Sequence, residues 1–232
     1  MKKVIPVLVV CMFLITLSLN GVSAKAEGFE FTDDLDELNL ENIDLAELNS
    51  GKEFILEDGT IIKKYSWEEA AKIIAEQNGE SEADVLRRIK PQTSKQNKST
   101  VTANSSCATG AVPIMRNVKV TSSYQPLVYV WTELCANSKN QYVIESIVDI
   151  SLDRNYKGIV KGFGGSVVAK SLNAGKTLYY RVEGTFYNNA TTTTGLTVGM
   201  NTPSASISYN ASTTSNYYGY VHQADNIVLY SN

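Results

Sequence analysis

The sequence has little of the chemistry on which most enzyme and metal sites depend. Its 232 residues include one histidine, His222, and three cysteines. Zinc sites take Cys and His ligands at short spacings, and these few residues lie too far apart along the chain to provide them. We therefore expect no metal centre and no cofactor.

Long hydrophobic runs are also scarce, and the clearest one lies at the N-terminus. A basic start at residues 1–3 is followed by 16 mostly apolar residues (4–19) and an Ala-x-Ala pattern at 24–26. A transmembrane helix needs about 20 apolar residues, whereas this layout is typical of a secretory signal peptide. Residues 1–26 are therefore predicted to be a cleaved signal peptide, and the mature protein to be secreted with no stable membrane span.

Removal of the signal peptide leaves two cysteines, Cys107 and Cys135. An even pair in an exported chain is most simply one disulfide; two separate thiols are the alternative. A bridge that closes a loop of about 29 residues contributes about 3–4 kcal/mol on the chain-entropy model.

Charge divides the mature chain into two parts. Residues 27–90 carry 18 acidic and 7 basic residues, a net charge of −11, whereas residues 107–232 carry 6 acidic and 9 basic residues, a net charge of +3. Residues 91–106 contain no aromatic residue and cannot bury enough apolar surface to fold, which predicts a flexible linker. The opposite charges suggest that 27–90 docks on 107–232. The acidic part also argues against nucleic-acid binding, which needs basic charge.

The acidic part has two predicted sections. Residues 27–50, rich in Asp, Glu, Asn and Leu, are expected to form a mostly disordered lead. Residues 51–90 are predicted to form a hairpin, with a type I′ turn at Asp58-Gly59, and two helices. A capping box formed by Ser66 and Glu69 opens the first helix. This hairpin-helix-helix segment is a candidate pro-region.

Residues 107–232 show the alternation of apolar and polar residues that is typical of β-strands, for example in 142–152 and 176–187. About eight or nine strands are expected, separated by Asn- and Gly-rich turns. The predicted fold is therefore mainly β: a C-terminal antiparallel β-sandwich preceded by a small acidic α+β segment.

Aromatic residues on the outer faces of these strands form a candidate binding face. The β-rich part holds 12 of the 13 tyrosines. Exposed rings on a rigid sheet can stack on sugars or contact a protein partner; the alternative is that both faces are covered or that the rings pair across strands. The residues of this candidate face are Tyr129, Trp131, Tyr179, Tyr187, Tyr218 and Tyr220.

Candidate catalytic groups are few. His222 with Asp225 is the one arrangement that could support a Ser–His–Asp site. Glu145 and Glu183 could form a carboxylate pair that hydrolyses glycosidic bonds, although nothing in the sequence brings them together. Whether the protein is an enzyme stays uncertain, and the balance favours a non-enzymatic protein.

These features favour a secreted binding protein for a cell-wall glycan or a surface protein, with an acidic regulatory segment or pro-segment. A secreted toxin held inactive by its pro-segment is one alternative. The Ser/Thr-rich stretch 191–215 would suit a membrane-inserting hairpin, although its short apolar faces favour two ordinary hydroxyl-rich strands. A small secreted hydrolase is the other alternative.

Overall fold

A computed structural model describes residues 43–90, 106–136, 141–212 and 216–229 of the chain. The predicted signal peptide, residues 27–42 of the predicted lead and residues 91–105 of the predicted linker lie outside them. The described part is mainly β, with helices in its N-terminal part and antiparallel sheets in its C-terminal part, as the sequence predicts. The helices are α1 (Leu45–Asn49), α2 (Trp67–Asn78) and α3 (Glu82–Ile89).

The strands form two large antiparallel sheets and one small hairpin. In chain order the strands are β1 (Phe54–Ile55), β2 (Ile61–Ile62), β3 (Ser106–Cys107), β4 (Val112–Asn117), β5 (Leu127–Ala136), β6 (Tyr142–Asp153), β7 (Asn155–Tyr156), β8 (Ile159–Val160), β9 (Gly162–Leu172), β10 (Thr177–Tyr187), β11 (Thr192–Val198), β12 (Ser204–Ala211) and β13 (Tyr217–Val228). The first sheet has the order β1-β2-β4-β5-β3, with β6 also paired to β5. The second sheet has the order β11-β12-β9-β10-β13, and β7 pairs with β8.

The two large sheets enclose one apolar core, to which Val130 and Ile150 of the first sheet and Phe163, Tyr180 and Phe186 of the second contribute. Each of these side chains is at most 1% exposed. The rings of Phe163 and Phe186, on neighbouring strands, lie 4.7 Å apart between centroids. The predicted β-sandwich is confirmed.

The hairpin β1–β2 adds two short strands of the acidic segment to the first sheet, where Ile61 pairs with Met115 of β4. Its turn differs from the predicted type I′. Of the Asp58-Gly59 pair only Gly59 has a positive φ (81°), whereas a type I′ turn needs positive φ at both central residues. The Asp58 carboxylate instead accepts a hydrogen bond from Thr60 N at 2.8 Å, which holds the longer turn.

Helix α2 begins and ends as its sequence predicts. Ser66 and Glu69 form the capping box, and Gly79 ends the helix in the left-handed conformation (φ 70°) that glycine adopts without strain. Short-range hydrogen bonds alone determine both ends, so the sequence predicts them well.

Helices α2 and α3 cover the face of the first sheet that points away from the sandwich core. A second apolar cluster joins Ile74 of α2 and Ile89 of α3 to Trp131 and Val148 of the sheet and to Ala111, which precedes β4. All five side chains are at most 1% exposed. The contact between the acidic segment and the β-rich part is therefore apolar at its centre.

Two ion pairs and a hydrogen bond flank this second cluster. Arg88 of α3 donates to Asp149 Oδ2 from Nη2 at 2.7 Å, and Asp149 is fully buried. Arg88 also pairs with Glu80 at 2.6 Å. Asn78 donates to the backbone oxygen of Ile150 at 3.2 Å. The basic partner of the buried pair lies in the acidic segment, so net charge alone does not describe this contact.

Helix α1 falls within the stretch 27–50, for which the sequence predicted mostly disorder. Its first turn is capped by the Asp44 side chain, which accepts from Ala46 N at 2.7 Å. Leu48 is fully buried in the main core, and Tyr142 donates to the backbone oxygen of Ile43 at 2.8 Å. These tertiary contacts order a segment whose composition gives no local signal.

Strand β6 departs from simple alternation. Tyr142 and Ile144 pack in the main core, but the next residue of β6 in that core is Ile147, and Val148 lies in the cluster under the helices. Register shifts between β5 and β6 at Trp131/Thr132 and Glu133/Leu134 change which side chains face inward.

The predicted disulfide is present: Cys107 and Cys135 are bonded. The two residues are register partners on β3 and β5. Cys135 is fully buried. The bridge therefore fixes the beginning of the β-rich part to the central strand of the first sheet.

Candidate functional site

A cleft of about 510 Å³ opens between the end of β4 and strand β13. In the described residues β13 is an edge strand that pairs with β10 alone. The hairpin turn at Asp58 and the loop after β4 complete the lining. Small-molecule sites usually measure about 300–1,000 Å³, so the cleft has room for a small ligand or a few units of a polymer.

An ion cluster centred on Arg116 forms the base of the cleft. Arg116 Nη2 donates to Asp225 Oδ2 at 2.8 Å, and Nη1 donates to the Asp58 carboxylate and to Thr60 Oγ1 at 2.8 Å. The Arg116 side chain is 15% exposed, whereas that of Asp225 is 42% exposed. Asp225 therefore presents oxygen acceptors to a ligand, while Arg116 holds them in position.

Arg116 stays protonated and positively charged in the cleft. Burial lowers the pKa of the guanidinium, but hydrogen bonding to Tyr180 and the charges of Asp58 and Asp225 raise that pKa by more. Because Lys119 also lines the cleft, its two cations balance its two carboxylates. The lining is thus polar with nearly zero net charge.

Gln223 joins β13 to the segment that follows β4. Its Oε1 accepts from Lys119 N at 2.8 Å, and its Nε2 donates to Asn117 O at 3.0 Å and to Tyr180 Oη at 2.8 Å. Both hydrogen-bonding ends of the side chain are used. These hydrogen bonds fix the distance between β13 and the segment that follows β4.

The exposed ring of Tyr220 lies at the mouth of the cleft, and the exposed Tyr217 is its hydrogen-bonded neighbour. Tyr220, which lines the cleft, is 53% exposed, and Tyr217 is 63% exposed. Tyr217 Oη accepts from Tyr220 N at 3.1 Å, and Tyr220 Oη donates to Glu183 Oε1 at 3.3 Å. The bond to Glu183 orients the Tyr220 ring and leaves its surface available.

The six aromatic residues predicted as a binding face do not lie together. Trp131 is fully buried and stacks on the half-buried Tyr129, with 5.7 Å between ring centroids, under α2. Tyr179 and Tyr187 are half-buried on β10. Tyr218, also half-buried, has Lys161 Nζ 4.1 Å from its ring centroid. Of the six residues, Tyr220 lines the cleft.

The candidate catalytic residues are not arranged as the predicted pairs. His222 and Asp225 both line the cleft, but each interacts with a different partner. His222 Nδ1 lies 3.8 Å from Glu183 Oε2, and Asp225 bonds to Arg116. Glu145 and Glu183 lie on strands of different sheets, β6 and β10.

Within the described residues, no group of three or more His, Cys, Asp or Glu side chains is arranged to hold a metal ion. No helix in the same part of the chain is long and apolar enough to cross a membrane.

Sequence reasoning missed Arg116, which organises the cleft. Its partners Asp58 and Asp225 lie 58 and 109 positions away along the chain, and no short motif links them. The available signal was weak: a single arginine in the otherwise uncharged strand β4 needs a partner if it is buried.

None of the family models, curated proteins or solved structures compared with the chain matches it.

Proposed function

We propose that the protein is an exported, non-enzymatic binding protein that holds a glycan in the cleft beside β13. The observation that carries the proposal is the exposed ring of Tyr220 at the mouth of a polar cleft with a fixed base. The ring offers a surface for stacking and the base offers hydrogen-bond partners, which are the two kinds of contact that a sugar makes.

A sugar has an apolar face of C–H groups and a rim of hydroxyls. The Tyr220 ring can stack on the apolar face. At the base, Asp225 accepts hydrogen bonds from hydroxyls, and charge-assisted bonds of this kind are the stronger ones. Because the charges of the cleft balance, it suits a neutral, hydroxyl-rich chain better than a polyanion.

Export supports a ligand outside the cell. The basic start, the apolar run at 4–19 and the Ala-x-Ala site are the features of a signal peptide. The disulfide between Cys107 and Cys135 suits an oxidising compartment. A cell-wall glycan is therefore the ligand class that we favour, and a surface protein is the competing one.

The proposal is tested by co-sedimentation of the mature protein with insoluble peptidoglycan. We expect saturable binding that Tyr220→Ala weakens by at least about tenfold, since truncation of a central aromatic contact typically costs more than 1 kcal/mol. Tyr179→Ala is the matched control, because this half-buried tyrosine lies on β10 outside the cleft. Equal binding of the wild type and both variants would refute the cleft as the site.

Two results would point to the alternatives. Release of soluble sugar from the same peptidoglycan would indicate a hydrolase. Dye leakage from liposomes only after removal of residues 27–90 would indicate a toxin with an inhibitory pro-segment; the packing of α2 and α3 over Trp131 and Val148 is the observation that favours it.

A further inference from the structure

A second cleft, of about 420 Å³, lies between α2 and the β7–β8 hairpin. Ile73 and Gln77 of α2 form one wall, and Val160 of β8 forms the other. Tyr129 and Arg154 also contribute to the lining. The cleft thus combines an apolar wall, an aromatic ring and a cation.

Arg154 is incompletely paired within the described residues. Its Nε is buried and has no hydrogen-bond partner there, and its Nη2 donates one long bond, 3.3 Å, to Gln77 O. A guanidinium has five N–H donors, and a buried cation is costly unless it is paired. Burial accordingly lowers the pKa of Arg154, against the smaller opposing effects of Tyr209, Tyr124 and Asp153.

The apolar wall is unusually exposed. Val160, which forms it, is 61% exposed at the end of a two-stranded hairpin. The hairpin is held in shape by Asn155, whose Oδ1 accepts from Gly158 N at 3.0 Å. Val160 and Ile73 therefore offer a fixed apolar surface beside the cation.

Two carboxylates limit the kind of anion that fits. Glu76, which is exposed, and Asp153, whose Oδ1 accepts from Asn155 N at 2.9 Å, also line the cleft. Together they repel a dianion such as a phosphate ester, but they tolerate a single carboxylate on Arg154. They also favour a ligand that carries a cationic group near its carboxylate.

We infer that this second cleft binds the α-carboxylate of an apolar residue, as a free amino acid or as the C-terminal end of a peptide. The Nη groups of Arg154 pair with the carboxylate, because Nε is buried, and Ile73, Tyr129 and Val160 contact the side chain. The site lies apart from the β13 cleft, and it does not depend on glycan binding.

Isothermal titration of the mature protein with three leucine compounds tests this inference. Leucine carries both charges, N-acetyl-leucine carries only the carboxylate, and leucinamide carries only the ammonium. We expect saturable binding at millimolar concentration or below for at least one of the first two. Binding of N-acetyl-leucine indicates a peptide end, and binding of leucine alone indicates the free amino acid. Failure of both to bind, or equal binding of leucinamide, would overturn the inference.

Substitutions of exposed residues on the β7–β8 hairpin test ligand binding without disturbing the core of the protein. Val160→Glu places a negative charge beside the proposed carboxylate and should weaken binding at least tenfold. Ile159→Glu is the matched control, because Ile159 precedes Val160 on the same strand but does not line the cleft, and it should leave affinity unchanged. Arg154→Gln should abolish binding, with circular dichroism to verify the fold. Equal affinities of the two hairpin variants would place the ligand elsewhere.

Discussion

The hydroxyl of Tyr209 donates to Asn78 Oδ1 at 2.9 Å. The bond connects the last residue of α2 with β12 of the second sheet, and both side chains are at most 3% exposed. Burial raises the pKa of Tyr209 far above that of free tyrosine, so its hydroxyl remains a donor. This bond therefore joins the helical layer to the far sheet, together with the bond from Thr194 of β11 to the backbone oxygen of Asn78.

Removal of this donor should cost stability. Tyr209→Phe leaves the buried Asn78 oxygen without its partner, for which we expect a free energy of unfolding about 1–3 kcal/mol lower. Urea denaturation of the mature protein measures it. Tyr217→Phe, at an exposed position, should change stability by less than about 0.5 kcal/mol; equal effects of the two would contradict the buried bond.

The buried ion pair gives a second prediction. Arg88→Met leaves the fully buried Asp149 without its cationic partner and should destabilise the protein by about 3–5 kcal/mol. Asp149→Asn in the same chain should recover part of that loss, as a double-mutant cycle measures. The neighbouring Arg87, whose side chain is 73% exposed, supplies the control: Arg87→Met should cost less than about 1 kcal/mol.

The disulfide gives the third prediction. Replacing Cys107 and Cys135 by Ser should lower the free energy of unfolding by about 2–4 kcal/mol on the loop-entropy argument. A reducing agent should destabilise the wild type and leave the double variant unaffected. Free thiols on the purified mature protein would contradict the bridge.

Glu133 predicts a pH dependence. Its partly buried carboxyl has a raised pKa, chiefly through burial and further through Glu145, against the hydrogen bond from Ser146. The folded state therefore binds the proton more tightly than the unfolded state, and this contribution to stability increases as pH falls from about 7 through the folded pKa. Glu133→Gln should be more stable than the wild type near neutral pH.

The difference between Glu133→Gln and the wild type should shrink toward about pH 4, near the ordinary glutamate pKa. Urea denaturation at both pH values provides the measurement. Glu57→Gln, at an exposed position of the β1–β2 turn, is the control and should show no such convergence. A constant difference across the pH range would exclude Glu133 as the source.

The fifth prediction separates two origins of the contact between the acidic segment and the β-rich part. If charge alone held them, cleavage within 91–105 should release 27–90 in 1 M salt, where the Debye length falls to about 3 Å. Because the contact buries Ile74, Trp131 and Val148, we expect the pieces to co-elute at both low and high salt. Size-exclusion chromatography of the cleaved protein at both salt concentrations shows whether 27–90 stays bound to 107–232.

Local features of the sequence predicted local structure well. The capping box at Ser66 and Glu69 determines where α2 begins, because both partners lie within one turn. Alternation likewise placed Trp131 on the face away from the sandwich core. It could not show that α2 covers that face, because the period of a strand says which way a side chain points and not what packs on it.

Features that depend on long-range pairing were not predictable. The Arg116 cluster brings together three segments that are distant along the chain. The shifts of register in β5 and β6 reverse the facing of later residues and left Val148 under the helices. Order in α1 arises from the burial of Leu48, which no composition argument foresees.

The bridge between Cys107 and Cys135 also determines how the molecule responds to mechanical force. Strand β3 has only two residues and few hydrogen bonds to resist tension. A covalent link at its second residue passes a pull from residues 91–105 directly to β5, the central strand of the first sheet. A pull applied to residues 91–105 therefore bypasses the weakest strand.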